Sequence, residues 1–151
     1  MVMQIIRANL MDLNALRLLE KACFPLDAWP LLDLVGVLSM PGVIRLKMVE
    51  GGEMVGFAAV DPHTAEGVSW IATICIHPQH QNKGWGRALL LECERQIQTP
   101  LIKLCVRPAN DPATHLYRSM GYQAVDTWRA YYNDGGDALV MQKALDHFFR
   151  L

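Results

Sequence analysis

The sequence between residues 74 and 90, ICIHPQHQNKGWGRALL, constrains the fold more than any other part of the chain. Its first residues are apolar and mostly β-branched, as expected of a buried strand, and Pro78 marks the end of that strand. Residues 81–86 have the pattern Gln-x-x-Gly-x-Gly, and apolar residues with helical spacing follow them. The stretch therefore predicts a strand, a glycine-containing turn and a helix in direct succession.

A turn of this kind is suited to binding a phosphate group. The first amides of a helix have no carbonyl partner one turn back, and they lie at the positive end of the helix dipole. Gly84 and Gly86 would let the main chain approach a ligand closely, because neither has a Cβ atom. A Walker loop would need Lys and then Ser or Thr where Arg87-Ala88 stand, and a dinucleotide fingerprint would need a glycine at Leu89. A plain structural turn remains the alternative.

Length and composition indicate one globular domain spanning residues 1–151. Of the 151 residues, 52% are hydrophobic and 19% are charged, which is typical of a folded rather than a disordered protein. A chain of this length can bury roughly 70% of its unfolded surface. The formal net charge of −1 gives no general attraction for nucleic acid or anionic membranes. No apolar run could span a bilayer, and the first residues lack the features of a signal peptide, so a cytoplasmic protein is predicted.

Cysteine and histidine spacing predicts no metal site. The four cysteines are Cys23, Cys75, Cys93 and Cys105. They show no Cys-x-x-Cys spacing and lie among apolar residues, so buried free thiols in a reducing compartment are predicted. His77 and His80 flank Pro78 without a nearby acidic residue or cysteine, which favours exposed turn histidines over metal ligands.

The remaining pattern predicts a mixed α/β protein. Strands are predicted at residues 3–8, 43–50, 53–60, 68–76, 101–107, 122–132 and 138–143. Helices are predicted at residues 12–23, 31–39, 86–98 and 111–120. Asp12 is the predicted N-cap of the first of these helices and Asp111 that of the last. Gly51-Gly52 predicts a tight hairpin turn, and Asp61-Pro62 predicts the end of a strand. The order of elements predicts a mixed sheet with helices on both faces.

The strand, turn and helix at residues 74–90 resemble the acetyl-CoA-binding motif of the GNAT family of N-acetyltransferases. In that family the strand holds the pantetheine arm and the turn holds the pyrophosphate. The resemblance implies a mixed, mostly antiparallel sheet of six to seven strands, with acetyl-CoA as cosubstrate. The residues it assigns to cofactor binding are Ile74, Cys75, Ile76, Gln81, Asn82, Lys83, Gly84, Trp85, Gly86, Arg87 and, from a second block, Asn110.

That second block, LCVRPAN followed by LYRSMGY, also looks like the family. There, a strand that ends near an Asn is followed by a helix with a Tyr and then by Gly and an aromatic residue. The resemblance implies that Asn110 bonds the cofactor arm and that Tyr117 protonates the departing thiolate. A phenol of pKa ~10 stays protonated at neutral pH and can donate to a thiolate of pKa ~8.5. The alternative is a core tyrosine with a satisfied hydroxyl.

A third block, AYYNDGGDALVM at residues 130–141, resembles the ending of the N-terminal α-amine acetyltransferases, which include the bacterial ribosomal-protein-alanine enzymes. Cys23-Phe24-Pro25 with Trp29 resembles a Phe-Pro-Trp segment of the same enzymes, although three residues intervene here. The resemblance implies that Tyr131 and Tyr132 help to cover a peptide N-terminus. Since both are predicted to lie on one strand, at most one should face a substrate. An ordinary hairpin strand with one buried and one exposed ring is the alternative.

One position departs from the family pattern. Where the ribosomal-protein enzymes have Leu-Glu-Val-Arg, with Glu as general base, this chain has Leu-Cys-Val-Arg, with Cys105 in place of Glu. A thiol is a poor base here, because its pKa of ~8.5 rises when it is buried among apolar groups. Glu66, His77 and Asp27 are other candidates for the base, and the sequence does not choose among them.

The absence of a glutamate base at position 105 narrows the class of amine that can serve as acceptor. An α-amine of pKa ~7.8 costs only about 1 kcal/mol to deprotonate at pH 7, whereas a lysine of pKa ~10.4 costs over ~4 kcal/mol. The predicted acceptor is therefore an α-amine or another amine of low pKa, and the resemblance of the tyrosine block favours a polypeptide N-terminus. The predicted reaction is direct acetyl transfer, with a main-chain amide near Ile74 stabilising the oxyanion. Acetylation of a small amine, and CoA binding without catalysis, are the alternatives. A monomer and a dimer both remain open.

Overall fold

The structure is a computed structural model that describes residues 2–145. The strands are β1 (Gln4–Arg7), β2 (Ile44–Glu50), β3 (Glu53–His63), β4 (Val68–Ile76), β5 (Leu101–Val106), β6 (Gln123–Trp128) and β7 (Ala138–Ala144). The helices are α1 (Leu13–Cys23), α2 (Leu31–Ser39), α3 (Trp85–Gln96) and α4 (Asp111–Ser119). None of these helices is both long and apolar enough to cross a membrane.

The strands form a seven-stranded sheet within the described residues, in the order β1-β2-β3-β4-β5-β7-β6. Strand β4 pairs with β5 in parallel, with Val68–Trp70 opposite Leu101–Lys103, whereas β1 with β2, β2 with β3, and β7 with both β5 and β6 are antiparallel. The predicted mixed, mostly antiparallel sheet is therefore confirmed. The described part of the chain separates into two compact units, the first made of residues 2–61 and Ala72–Gln96, the second of Pro62–Ile71 and residues 97–145.

The core of the first unit forms around the apolar stripe of α1. Leu16 and Leu19 are buried with Glu20 on that stripe, as expected from their three- and four-residue spacing. The core cluster consists of Ala8, Leu16, Leu19, Leu34, Val37, Leu38, Phe57, Ala59 and Cys75. Asp12 occupies the N-cap position of α1, but its carboxylate makes no cap bond. It accepts instead from Asn9 N (2.9 Å) and Lys47 Nζ (2.7 Å).

The β2–β3 hairpin forms at the predicted turn, where Gly51 and Gly52 have φ values of 60° and 81°. The predicted break at Asp61-Pro62 is wrong, because β3 continues through both residues to His63. Proline removes only one donor, and its fixed φ fits extended backbone, so a strand can run through it near its end. The strand ends at the 3₁₀ turn Thr64–Glu66, which is closed by Gly67 at φ 71°.

Two predictions in the second unit need correction. The N-cap of α4 is Asn110, not Asp111, and its side-chain oxygen accepts from Ala113 N (3.3 Å). Strand β6 ends at Trp128, so Tyr131 and Tyr132 lie in a loop and not on a strand. Ala130 in this loop has φ 52°, a left-handed conformation that interrupts extended pairing. The buried side chains of this unit include Ile102, Leu104, Val106, Tyr117, Met120, Tyr122, Val140 and Met141.

Candidate active site

The glycine turn of the first unit has the backbone that the motif predicts. Asn82 has φ 64° and Gly84 has φ 79°, and α3 begins at the next residue, Trp85. Ala88 N donates to Gly84 O at 3.2 Å. Because an α-helical amide bonds four residues back, the amides that precede this donor belong to the first turn, where helices leave their N–H groups without helical partners.

Side chains around the turn hold its conformation. Gln81 Nε2 donates to Ile76 O (3.1 Å) and so ties the turn to the end of β4. His80 stacks on Trp85 with ring centroids 5.3 Å apart, and Lys83 Nζ donates to His80 Nδ1 at 3.2 Å. His77 Nδ1 accepts from Gln79 N (3.1 Å), so the two histidines are half-buried turn-forming residues and not exposed ones as expected.

The residues of this turn fit a pyrophosphate. Residues 81–84 are exposed, and a Cβ atom placed on Gly84 would meet nothing within 4 Å, so the space over the turn is open to a ligand. The ammonium of Lys83 lies 4.8 Å from the Trp85 ring centroid at the same turn and supplies positive charge. Open main-chain amides with a neighbouring cation are the chemistry that a diphosphate requires.

The end of β4 adjoins a cluster of acid and thiol groups that the motifs did not predict. Cys23 Sγ donates to Ile76 O at 3.4 Å, and a hydrogen bond with Cys23, together with burial, raises the pKa of the Cys75 thiol well above its usual value. Glu20 is 1% exposed, and neither of its carboxylate oxygens has a hydrogen-bond partner among residues 2–145. Burial raises the pKa of Glu20 to about 7. Its position on the apolar stripe of α1 was the available signal.

In the second unit, Asn110 and Tyr117 lie on the same helix. Asn110 caps the exposed start of α4 through its side-chain oxygen, and its NH₂ group takes no part in that bond. Tyr117 lies two turns later, is 8% exposed, and has its ring centroid 5.8 Å from that of Tyr122. The helix therefore carries one predicted residue at its exposed end and the other in the core of the unit.

Cys105 contacts one of the predicted substrate-binding tyrosines. The half-buried thiol forms a side-chain hydrogen bond with Tyr131. Burial raises the pKa of Cys105, and the bond to Tyr131 opposes this only in part. Burial likewise raises the pKa of the Tyr131 phenol. This direction agrees with the expected rise in the pKa of Cys105, which disfavours the thiolate at neutral pH.

The loop that carries the two tyrosines is held by ion pairing and main-chain bonds. Arg107 donates to Asp134 Oδ1 (3.2 Å), and its guanidinium lies 4.2 Å from the Tyr132 ring centroid. Asp134 also accepts from Gly136 N, a bond that with Arg107 lowers the pKa of Asp134. Asp137 Oδ1 accepts from Ala130 N at 2.9 Å. These pairs were not predicted, although the run Asn-Asp-Gly-Gly-Asp signalled a turn rich in backbone-bonding side chains.

The structure shows the surroundings of the other three candidates for the general base. Glu66 is exposed, and its Oε2 lies 3.4 Å from His63 Nδ1. Asp27 is half-buried in the segment between α1 and α2, and His77 bonds within its own turn. Among residues 2–145 no group of three or more His, Cys, Asp and Glu side chains could hold a metal ion.

The glycine turn links a buried strand of the mixed sheet to the start of α3, an arrangement suited to a cosubstrate that carries a diphosphate. The family model described as "Acetyltransferase (GNAT) family" matches residues 14–122, and the chain belongs to that family. It is an acetyl-CoA-dependent N-acetyltransferase.

Several relatives carry more specific names. The chain is 34% identical to the N-alpha-acetyltransferase RimI of Mycobacterium tuberculosis over 120 residues, which are 78% of this chain and 76% of that protein. It is 30% identical to the ribosomal protein bS18-alanine N-acetyltransferase of Escherichia coli over 104 residues, 65% of this chain and 69% of that one. The crystal structure of the Escherichia coli ribosomal-protein-S18-alanine N-acetyltransferase is similar with a TM-score of 0.86 and 24% identity, covering 95% and 94% of the two chains.

Proposed function

We propose that this protein transfers an acetyl group from acetyl-CoA to the N-terminal α-amine of a polypeptide, and that its residues act as a single catalytic domain. The observation that carries the proposal is the ordered loop in which Tyr131 and Tyr132 stack edge to face at 5.0 Å, beside Cys105 and Arg107. A loop fixed by several side-chain pairs offers a preformed wall for a peptide. The names of the relatives at 34% and 30% identity support the same acceptor.

We propose that the glycine turn binds the diphosphate of the cosubstrate. The amides of Trp85 and Gly86 would donate to it, with Lys83 and Arg87 as cations and Asn82 shaping the turn through its positive φ. Gln81 would act by fixing the turn to Ile76. The main chain of Ile74, Cys75 and Ile76 would line the pantetheine arm, and the NH₂ group of Asn110 would bond it. Acetyl-CoA supplies the acetyl group as a thioester.

The chemistry of the transfer falls to Tyr117 and to the amine itself. We propose that the Tyr117 hydroxyl donates its proton to the departing thiolate sulfur. No carboxylate stands at position 105, and the raised pKa of Cys105 keeps that thiol protonated at neutral pH. We propose that the acceptor amine loses its proton to water, which favours an α-amine of low pKa over a lysine side chain.

The proposal is tested by offering acetyl-CoA with peptides that contain both a free N-terminus and an internal lysine. We expect mass spectrometry to locate the new acetyl group on the α-amine. The apparent pKa of kcat/KM should follow the pKa of the peptide α-amine when the first residue is changed. Acetylation of lysine alone, or of small amines but no peptide, would refute the proposed acceptor. Coenzyme A binding without any transfer would refute catalysis by this chain.

A further inference from the structure

One face of the sheet in the second unit brings together a lysine, a cysteine and aromatic rings. Trp70 is in parallel register with Lys103, and residues paired in this way point to the same face of a sheet. Cys105 lies two residues further along β5 and shares that face, roughly 6.6 Å from Lys103 along the strand. Tyr131 bonds to Cys105, so the proposed acceptor wall adjoins this face.

The rings on this side form a continuous row, here called the aromatic arc: Trp70, Trp128, Tyr131 and Tyr132. Their successive ring centroids are 5.5, 5.6 and 5.0 Å apart. Trp128 is 37% exposed and Tyr131 is 51% exposed, so the arc is an open surface within this unit. Rigid rings with few rotatable bonds lose little entropy when a peptide covers them.

Among residues 2–145, Lys103 is a cation of this surface that forms no ion pair with a carboxylate. The interaction recorded for its ammonium within residues 2–145 is with the Trp70 ring, at 5.7 Å from the centroid. Arg107 is already paired with Asp134. The nearby Asp126 accepts from Trp128 Nε1 (3.2 Å) and from Thr127 N (2.8 Å). An acidic side chain brought by a ligand would therefore find Lys103 available.

We propose that the acceptor polypeptide carries an acidic side chain at its second or third residue, and that Lys103 binds this carboxylate while the aromatic arc supports the peptide chain. This inference rests on the proposed function. An extended peptide advances about 3.3 Å per residue, so a chain end near Cys105 brings its second or third residue to Lys103. A nucleic acid strand is disfavoured, because the surface also carries the carboxylate of Asp126 against Trp128, and the whole chain has a net charge of −1.

The test measures kcat/KM for peptides that differ only at the second and third residues, with Glu, Gln or Lys at each. The wild-type protein should prefer Glu to Lys by about tenfold, falling as salt is raised, since a partly exposed charge contact is screened. The variant Lys103→Glu should reverse the order, and Lys103→Gln should remove it. Lys143→Gln is the matched control, because Lys143 lies on the opposite face with its ammonium also 5.7 Å from an aromatic centroid, that of Tyr122. It should leave the preference unchanged.

The outcomes distinguish failure of the role of Lys103 from failure of the proposed function. Peptide acetylation with the same charge preference in the wild type and in Lys103→Glu would overturn the role of Lys103 and leave the proposed function intact. No acetylation of any peptide by the wild type would overturn both. Inhibition by a single-stranded oligonucleotide that depends on Lys103, without any peptide charge preference, would replace the peptide by nucleic acid as the ligand of the aromatic arc.

Discussion

The glycine turn before α3 and the tyrosine loop after β6 are built in opposite ways. The turn offers main-chain amides, and its shape depends on left-handed residues such as Gly84 (φ 79°). The loop offers side chains, and its shape depends on pairs such as Arg107 with Asp134 and Asp137 with Ala130 N. A site made of main chain follows from local sequence, whereas a site made of paired side chains follows from residues that are distant in sequence. Substitutions in the two regions should therefore change different measured quantities.

The largest expected effect on catalysis comes from removing the Tyr117 hydroxyl, the group to which we assign proton transfer. Tyr117→Phe should lower kcat by about 10³-fold, because general acid catalysis typically contributes 10²- to 10⁴-fold. The KM for acetyl-CoA should stay near the wild-type value. Steady-state kinetics of Tyr122→Phe provides the control, since Tyr122 is a buried neighbour 5.8 Å away. Equal activity of the two variants would contradict the role of Tyr117.

Substitution of Glu20 tests whether the buried carboxyl group of the first unit makes the stability of the protein depend on pH. Its pKa is raised from 4.5 to about 7, so the folded state holds the proton more tightly than the unfolded state. The free energy of unfolding should therefore fall as pH rises from about 4.5 to 7, by roughly 3 kcal/mol in total. Glu20→Gln should lose this dependence and be more stable than the wild type at pH 8. Urea unfolding at pH 5 and pH 8 measures both.

The buried carboxylate of α3 supplies the control for that experiment. Glu94 is 7% exposed, and Glu94→Gln should retain the decline in stability between pH 5 and pH 8. A wild-type protein whose free energy of unfolding is the same at both pH values would show that Glu20 is not the buried, unpartnered acid described above.

A smaller effect is expected where a side chain is added to the glycine turn. Gly84→Val should raise the KM for acetyl-CoA by about tenfold, since a left-handed backbone with a branched side chain is strained by about 1–2 kcal/mol and the added atoms occupy the open space. Gly52→Val is matched to it, because Gly52 has φ 81° and equally open surroundings in the β2–β3 hairpin. It should lose similar stability with an unchanged KM. Equal KM values in both variants would mean that the turn does not bind the cosubstrate.

The smallest effect is expected in the loop. Asp137→Ala removes the bond to Ala130 N, which is worth about 1 kcal/mol, and should raise the KM for a peptide by about fivefold without changing that for acetyl-CoA. Asp33→Ala removes the same charge from the exposed first turn of α2 and should leave both constants unchanged. A parallel rise in both KM values for Asp137→Ala would show that the loop does not act on the acceptor alone.

Predictions from sequence succeeded where neighbours in sequence are also neighbours in space. The bounds of α2 and β4 and the hairpin at Gly51-Gly52 agree with the structure, because periodicity and turn chemistry act over a few residues. The cap of α4 was misplaced by one residue, since Asn110 and Asp111 are both good caps and only the backbone of the turn selects one. Tyr131 and Tyr132 were assigned to a strand because aromatic residues favour strands, but Ala130 turns the chain before them.

The sequence by itself indicated the family, a mixed and mostly antiparallel sheet, and a glycine turn suited to a diphosphate, because each of these predictions rests on contiguous patterns of apolar spacing and glycine. Only the tertiary structure decided that Cys105 bonds Tyr131, that Lys103 lies under Trp70, and that Glu20 is buried without a partner. Those relationships join residues from separate strands, helices and loops. Their energies depend on burial and on distance in space, which no local pattern encodes.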